Sequence, residues 1–494
     1  MESNFWIKCF SIVTFDEDIG QQVEFQTPQI MSDFQLQALA YLAFPDSNSF
    51  SIQGDLFYVF KMKFNPNLYG YTYFRQWKDL SKPRKYSQQS LVLLSEHPYI
   101  SLFKQMVEIL GPLYFEHGVS IFEAVNSCMK IWPENTEGST LELPILGSIV
   151  CFTVPSKEIS FNPLVLAEGL SDILESMNLA HAGLFQDINL CEIFSMNFIR
   201  KHLNALWEIL ISGEELLFFT ESPRTCSLGV LGLVSLLSPI LYSGDVYPYF
   251  TIFDNDLKIV QNNYERQKNS ETVIGATNPY ILKAFSEMSN IVQCEGQYCL
   301  NVVNIKTSQN SFVNKILNLF EGNTKENFAI NNTAIRKHYR EMTLAFLHAF
   351  HEYLNYNEES IRKMPYFAEP LKPYNESEFL ATLNGSKNIL PFLKYTNKPR
   401  AVYLYTKFVK SSTFVRWFAA QRQKSNSEAE QAIRKATANF DVNSFNGLNP
   451  KERKVVCKKI KRRLEYEEKL AEDLEGIEKL KVQLQFLISS FTPS

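Results

Sequence analysis

Short runs of β-branched and aromatic residues alternate with helical patterns of apolar residues over the first 130 positions of the chain. The strand-like runs lie at residues 10–15, 22–25, 56–62, 69–74 and 90–95. One helical pattern begins at Asp33, between the second and third runs, and another follows the fifth run and ends at Gly111 and Pro112. This order predicts two strands, a helix, three strands and a helix, which is a mixed α/β layer.

Strand-like and helix-like runs also alternate between residues 150 and 300. A helical pattern over 198–210 precedes a strand at 215–220, and Ser222-Pro223 opens a long apolar helix. Further strands are predicted at 249–253 and 272–275. The alternation favours a sheet covered by helices on both faces.

The stretch Thr225–Gly244 carries no charge and is long enough to span a bilayer. It contains several serines and glycines as well as Pro239, and it directly follows a strand-like run. We therefore predict a helix buried against the sheet and no transmembrane span.

The C-terminal part of the chain is predicted to be helical, and it carries two opposed blocks of charge. Residues 451–463 hold eight basic residues and one Glu, whereas residues 465–478 hold seven acids and one Lys. Apolar residues continue at helical spacing to Leu487, so the pattern predicts a single helix. The basic residues are candidate contacts to an anionic membrane or a partner: Lys451, Arg453, Lys454, Lys458, Lys459, Lys461, Arg462 and Arg463. The alternative is a solvated helix whose basic block pairs with the acidic block, within the chain or across a dimer.

Composition and charge narrow the function classes. The 494 residues are 45% apolar and 21% charged, values ordinary for a folded globular protein. The formal net charge of -4 leaves no basic excess for binding nucleic acid through phosphate contacts. The eight cysteines are mostly far apart and within apolar runs, which predicts buried free thiols in a reducing compartment. The N-terminus lacks the basic region and cleavage site of a signal peptide.

The familiar catalytic motifs are missing from the sequence. It has no G-x-x-x-x-G-K-[ST] phosphate loop, no G-x-S-x-G elbow and no G-x-G-x-x-G after a strand. His348 and His351 are three residues apart, whereas the H-E-x-x-H zinc helix places its histidines four apart. We therefore expect no catalytic residues, no cofactor and no metal, and a protein that works through binding surfaces.

Several motifs, in order along the chain, resemble those of DENN-domain proteins, and more narrowly those of the DENN domain-containing protein 6 family. The first is Tyr-Leu-Ala-Phe-Pro-Asp-Ser at residues 41–47. The others lie at residues 88–95, 143–147, 206–210, 247–252, 274–279, 335–340 and 410–418. The matching segments are spread over most of residues 5–420, so the resemblance rests on their order and not on any single motif.

The resemblance implies an α/β protein with an N-terminal longin-like module, a central DENN module and a helical C-terminal module. The corresponding boundaries are 1–130, 140–330 and 331–424, with a charged helical tail at 425–494. The resemblance also implies a guanine nucleotide exchange factor for a Rab-family GTPase. Such a factor would act in the cytoplasm, peripherally on endosomal membranes during recycling traffic. Exchange needs no covalent chemistry, which agrees with the missing motifs.

Two other functions remain open. A GTPase-activating protein would present an arginine, and Arg84 in the loop 82–86 stands where longin–DENN relatives of that kind carry one. The alternative for Arg84 is an ordinary solvated loop residue. A non-catalytic adaptor for a GTPase or membrane complex is the third possibility.

Residues on loops at the ends of sheets are the candidates for GTPase contact, since binding surfaces concentrate there. The alternative for each is local turn chemistry, because Pro, Asp and Asn are common turn formers. The candidate residues are Phe44, Asp46, Arg84, Tyr86, Asn278 and Pro279.

Overall fold

The computed structural model divides the chain into two compact units. The first contains residues 1–346 and 389–415, and the second contains residues 347–388 and 416–494. The residues that the structure describes are 6–46, 54–64, 66–155, 188–193, 197–254, 256–266, 271–295, 298–302, 328–383, 385–470 and 474–489. The four predicted modules, 1–130, 140–330, 331–424 and 425–494, stay a prediction.

The N-terminal part of the first unit is a five-stranded antiparallel sheet of order β2-β1-β5-β4-β3. Its strands are β1 Cys9–Asp16, β2 Gly20–Thr27, β3 Gly54–Met62, β4 Leu68–Lys78 and β5 Tyr86–Ser95. Its helices are α1 Asp33–Leu42, α2 Ile100–His117 and α3 Ile121–Met129. The predicted order of two strands, a helix, three strands and a helix is confirmed.

Two helix ends differ from the prediction. Ser32, and not Asp33, caps α1: its hydroxyl accepts a hydrogen bond from the Gln35 amide, and the Gln35 side chain accepts one from the Ser32 amide. Helix α2 does not end at Gly111 but continues to His117. A Cβ at Gly111 would overlap the Tyr73 ring, so this glycine lets the helix approach the sheet closely.

The sheet that follows is mixed, with order β12-β11-β8-β10-β9. A hairpin of β6 Thr140–Ile145 and β7 Ser148–Thr153 precedes it. Its strands are β8 Leu216–Thr220, β9 Asp245–Phe250, β10 Thr272–Ala276, β11 Ile291–Glu295 and β12 Tyr298–Val302. All neighbouring pairs are parallel except β11 and β12. Strand β9 ends at Phe250, so the predicted strand over 249–253 lay too far toward the C-terminus.

Helices pack on both faces of this mixed sheet, as predicted. The helices of this region are α4 Leu190–Ile193, α5 Asn197–Ile211, α6 Pro223–Ser235, α7 Leu257–Arg266 and α8 Pro279–Ala284. On one face, Gly229 of α6 lies against the Phe218 ring. On the other face, Ile281 of α8 packs with Leu217 and Ile274. The uncharged stretch therefore forms a buried helix against the sheet, and no helix in the described ranges combines the length and apolarity needed to cross a bilayer.

The remaining chain is helical. Its helices are α9 Phe328–Leu347, α10 His351–Leu354, α11 Glu358–Lys363, α12 Glu376–Thr382, α13 Lys398–Phe408, α14 Ser412–Ala438, α15 Pro450–Leu470 and α16 Leu474–Ser489. The prediction of one helix over the charged tail is wrong. Val456 and Ile460 of α15 share a core with Leu480 and Leu487 of α16. A single straight helix would place Val456 about 36 Å from Leu480, since each residue adds about 1.5 Å.

The described cysteines are free thiols, but only some of them are buried. Cys9, Cys226 and Cys294 are buried, whereas Cys151 is exposed. Burial raises the pKa of both Cys9 and Cys226. The expectation of uniformly buried thiols is therefore only partly met, because Cys151 lies on the exposed side of β7.

Candidate partner-binding site

The candidate site lies where the edge strand of the antiparallel sheet, β3, meets the edge strand of the mixed sheet, β9. Helix α6 packs beside both strands, and its Ser227 hydroxyl accepts a hydrogen bond of 3.2 Å from the Val59 amide. The Tyr58 and Tyr249 rings meet edge to face with centroids 5.0 Å apart. This contact satisfies part of an edge strand that would otherwise present unpaired amides.

Asp46, in the loop after α1, makes four hydrogen bonds to the carboxyl ends of β9 and β10. Its amide donates to the Tyr249 hydroxyl at 2.6 Å, and its carbonyl accepts from the Thr277 hydroxyl at 2.9 Å. Its carboxylate accepts from the Ile252 amide at 2.9 Å and from the Asn278 side-chain amide at 2.8 Å. In α/β sheets, ligands commonly bind beyond the carboxyl ends of parallel strands. The loop thus joins the two sheets at a position suited to binding.

Two candidate residues from separate parts of the sequence therefore touch. Asp46 and Asn278 are 232 positions apart in the chain. Asn278 also caps α8, because its side-chain oxygen accepts from the Tyr280 amide at 2.9 Å. The turn chemistry considered for Asn278 is thus present together with the contact to Asp46. Pro279 is exposed, and Tyr280 beside it has 58% of its surface accessible.

Phe44 does not belong to the accessible surface. Only 4% of the residue is exposed, and its ring packs against Phe15 and Phe74 with centroid distances of 6.3 and 5.7 Å. Phe44 belongs to the hydrophobic core of the antiparallel sheet. The expectation that Phe44 contacts a partner is therefore corrected.

Arg84 and Tyr86 line a concave surface at the end of the antiparallel sheet, and the pocket that it encloses has a volume of about 470 Å³. The Arg84 guanidinium lies 4.5 Å from the centroid of the Phe15 ring, and the Arg84 amide donates to Glu17 at 3.1 Å. Tyr86 is 39% exposed. Since Phe15 also packs on Phe44, two residues before Asp46, this concave surface lies near the Asp46 junction.

The loop that carries Arg84 is fixed by hydrogen bonds to Asp79. The Asp79 carboxylate accepts from the Ser81 hydroxyl at 2.6 Å and from the Ser87 hydroxyl at 2.7 Å. These bonds, with the one to Ser81 first, lower the pKa of Asp79. The loop is therefore held in place in the structure.

Sequence reasoning missed an aromatic pair beside Asp46. Tyr41 of α1 stacks on Phe253, with centroids 5.0 Å apart, and Phe253 is 48% exposed. The segment 247–252 carries one of the family-like motifs, but no pattern in it distinguishes Tyr249 or the following Phe253. Exposed aromatic residues are enriched in protein interfaces, so these residues add to the candidate surface.

The sequence is similar to curated proteins over nearly its whole length. It is 29% identical to the DENND6 homolog of Dictyostelium discoideum, over 89% of this chain and 74% of that protein. It is 28% identical to DENND6A of Gallus gallus, over 88% and 82% of the two chains. It is also 28% identical to human DENND6B, over 85% and 79%. The chain is thus similar to DENND6 proteins over most of its length.

These similarities confirm the resemblance to the DENN domain-containing protein 6 family that the ordered motifs indicate. No family model matches the sequence. The alignments also cover most of the relatives' own length.

The loop after β9 contains an unusual carboxyl group. Burial raises the pKa of Asp254 to about 7, and the charge of the nearby Asp256 adds to the rise. Burial likewise raises the pKa of Asp256 and lowers that of Lys61. Within the described residues, no group of three His, Cys, Asp or Glu side chains is arranged to hold a metal ion. The candidate site offers hydrogen-bonding groups, aromatic rings and charged side chains, which proteins use to bind other proteins.

Proposed function

We propose that this protein, which is similar to DENND6 proteins, is a guanine nucleotide exchange factor for a Rab-family GTPase in endosomal recycling traffic. Residues 1–130 would form its longin-like module and residues 140–330 its central DENN module. The observation that carries the proposal is the Asp46 junction, where a loop of the antiparallel sheet bonds to the carboxyl ends of β9 and β10 in a chain similar to DENND6 proteins.

Exchange follows from differential binding. A factor that binds the nucleotide-free GTPase more tightly than the GDP-bound form lowers the affinity for GDP by the same ratio. A complex of this kind buries roughly 1,200–2,000 Å² of surface, far more than one concavity offers. We infer that the surface extends from Arg84 and Tyr86 to Asn278 and Pro279 and includes the exposed Phe253. Arginine and aromatic residues supply most of the binding energy in such interfaces.

The test is the release of fluorescent GDP from a panel of Rab GTPases, with and without the purified chain. We expect faster release from at least one Rab. A folded chain that accelerates none of them would contradict exchange and favour an adaptor. Measuring GTP hydrolysis on the same panel identifies the third possibility, a GTPase-activating protein.

The position of Arg84 leads to a prediction that separates exchange from GTPase activation. The guanidinium packs on the Phe15 ring, which suits an interface residue. We expect Arg84→Ala to change GTP hydrolysis by the responding Rab by less than about threefold, because a true arginine finger is worth about 10³–10⁵. Single-turnover hydrolysis with wild-type and variant protein measures it. A loss of stimulated hydrolysis of about a hundredfold or more would overturn the exchange assignment.

We also propose that the basic residues of 451–463 contact a membrane or a partner away from the exchange surface. A position on endosomal membranes would place the factor beside a lipid-anchored GTPase. Deleting 450–494 is a poor test, because α15 and α16 supply Val456, Ile460, Leu480 and Leu487 to the core of the second unit. Point substitutions on the exposed face of α15 keep that core intact.

A further inference from the structure

Helix α15 divides the basic block into two groups with different surroundings. Arg453 donates to the Leu448 and Asn446 carbonyls, each at 3.0 Å. Arg463 pairs with Glu430 and, at 2.7 Å, with Glu467, which is 4% exposed. Both arginines therefore bind other residues of the second unit. Of the two, Arg463 pairs with the acidic block, through Glu467.

The other six cations lie on the exposed side of the helix. At about 100° per residue they fall within an arc of roughly 160° on one face of α15. All six are exposed, and none forms an ion pair within the part of the chain that the structure describes. They are Lys451, Lys454, Lys458, Lys459, Lys461 and Arg462. We call this set the lysine face.

Two apolar side chains are exposed on the same arc. Val455 is 45% and Tyr466 is 50% exposed, although valine is a residue type that is usually buried. The opposite side of the helix packs Val456 and Ile460 into the core. Helix α15 therefore has two different sides: one is anchored in the unit, and the other presents the cations, with Val455 among them and Tyr466 beside the exposed Glu465 one turn beyond Arg462.

We infer that the lysine face binds the surface of an anionic phospholipid bilayer, with α15 lying in the membrane plane and Val455 and Tyr466 at the headgroup level. This deepens the membrane or partner contact proposed above. The charge is complementary to an anionic leaflet, which attracts clusters of lysines near a surface. The cations are spread along about three turns of a convex helix, a geometry that suits an extended layer of negative charge better than a single acidic peptide.

The experiment compares full-length wild-type protein with Lys454→Glu/Lys458→Glu in sedimentation with phosphatidylcholine vesicles that contain phosphatidylserine. The control is Lys387→Glu/Lys410→Glu, which changes the net charge by the same amount at exposed lysines outside the lysine face. We expect the first variant to lose at least about tenfold in vesicle partitioning and the control to lose less than about twofold. Binding by the wild type should weaken as salt shortens the screening length. Thermal unfolding establishes that both variants fold.

Two results would overturn the inference. One is equal partitioning of wild type and Lys454→Glu/Lys458→Glu. The other is wild-type binding to the phosphatidylserine-containing vesicles that is no stronger than binding to vesicles of phosphatidylcholine alone. Binding of polyglutamate together with this result would indicate an acidic protein partner in place of the membrane. GDP release in solution separates this inference from the exchange proposal, because the lysine face lies outside the proposed contact surface. Accelerated GDP release without vesicle binding would reject only the membrane inference. Vesicle binding without accelerated GDP release would reject only the exchange proposal.

Discussion

Replacing Asp46 with alanine is expected to lower Rab GDP release at least about tenfold and the free energy of unfolding by about 2–3 kcal/mol. The change leaves the Ile252 amide and the Asn278 side-chain amide without their acceptor. A hydrogen bond to a charged group contributes about 1.5–3 kcal/mol, and a buried donor left alone adds a further cost. The loop that presents Phe253 would keep its stacking on Tyr41 but lose the hydrogen bond that the Ile252 amide donates to Asp46. Denaturant unfolding and GDP release measure the two effects.

A matched control for Asp46 is Asp18→Ala. Asp18 is exposed in the turn between β1 and β2, where its own amide donates to Asp16. Removing its carboxylate should change the free energy of unfolding by less than about 0.5 kcal/mol. If Asp46→Ala behaved like this control in both assays, the Asp46 carboxylate would have no role in joining the sheets or in exchange.

Gly275→Ala is expected to destabilise the first unit by about 3 kcal/mol or more. Gly275 lies in β10 beneath helix α6, and a Cβ there would overlap the Pro248 carbonyl oxygen and lie 2.7 Å from the Cys226 sulfur. The carbonyl belongs to the neighbouring strand β9, so it cannot move without disturbing the sheet. Because β9 and β10 also carry the partners of Asp46, GDP release should fall with stability.

The control for Gly275 is Gly447→Ala in the second unit. No heavy atom lies within 4 Å of a Cβ at Gly447. We expect its free energy of unfolding, measured with denaturant, to be within about 0.5 kcal/mol of wild type. A Gly275→Ala protein as stable as Gly447→Ala would mean that α6 and β10 do not pack as closely as the structure shows.

The order of elements in the first unit was predictable because it depends on local patterns. The strands between Cys9 and Ser95 show as β-rich runs, and Pro223 marks the start of α6. The local pattern was less informative at Gly111, where a glycine and a proline suggest a helix end. Tyr73, from a strand distant in sequence, determines that the helix continues close to the sheet.

The contacts of the site could not be predicted in this way. Loop position predicts Asp46 and Asn278 separately as contact candidates. No local sequence pattern predicts that these two residues, 232 positions apart, touch each other. The exposed position suggested for Phe44 was wrong because its neighbours Phe15 and Phe74 come from other strands. The apolar spacing through the tail is the same in α15 and α16, so the sequence alone did not show that Val456 would pack against residues of a second helix.

The most direct test of the exchange proposal is catalytic GDP release from the Rab that responds in the panel. The chain is supplied at a small fraction of the Rab concentration, in excess GTP, and released GDP is followed with time. We predict complete release with many turnovers per molecule of the chain, and a rate that falls at least about tenfold with Asp46→Ala and not with Asp18→Ala. Release that stops at one GDP per chain, or that is no faster than without the chain, would contradict a catalytic exchange factor.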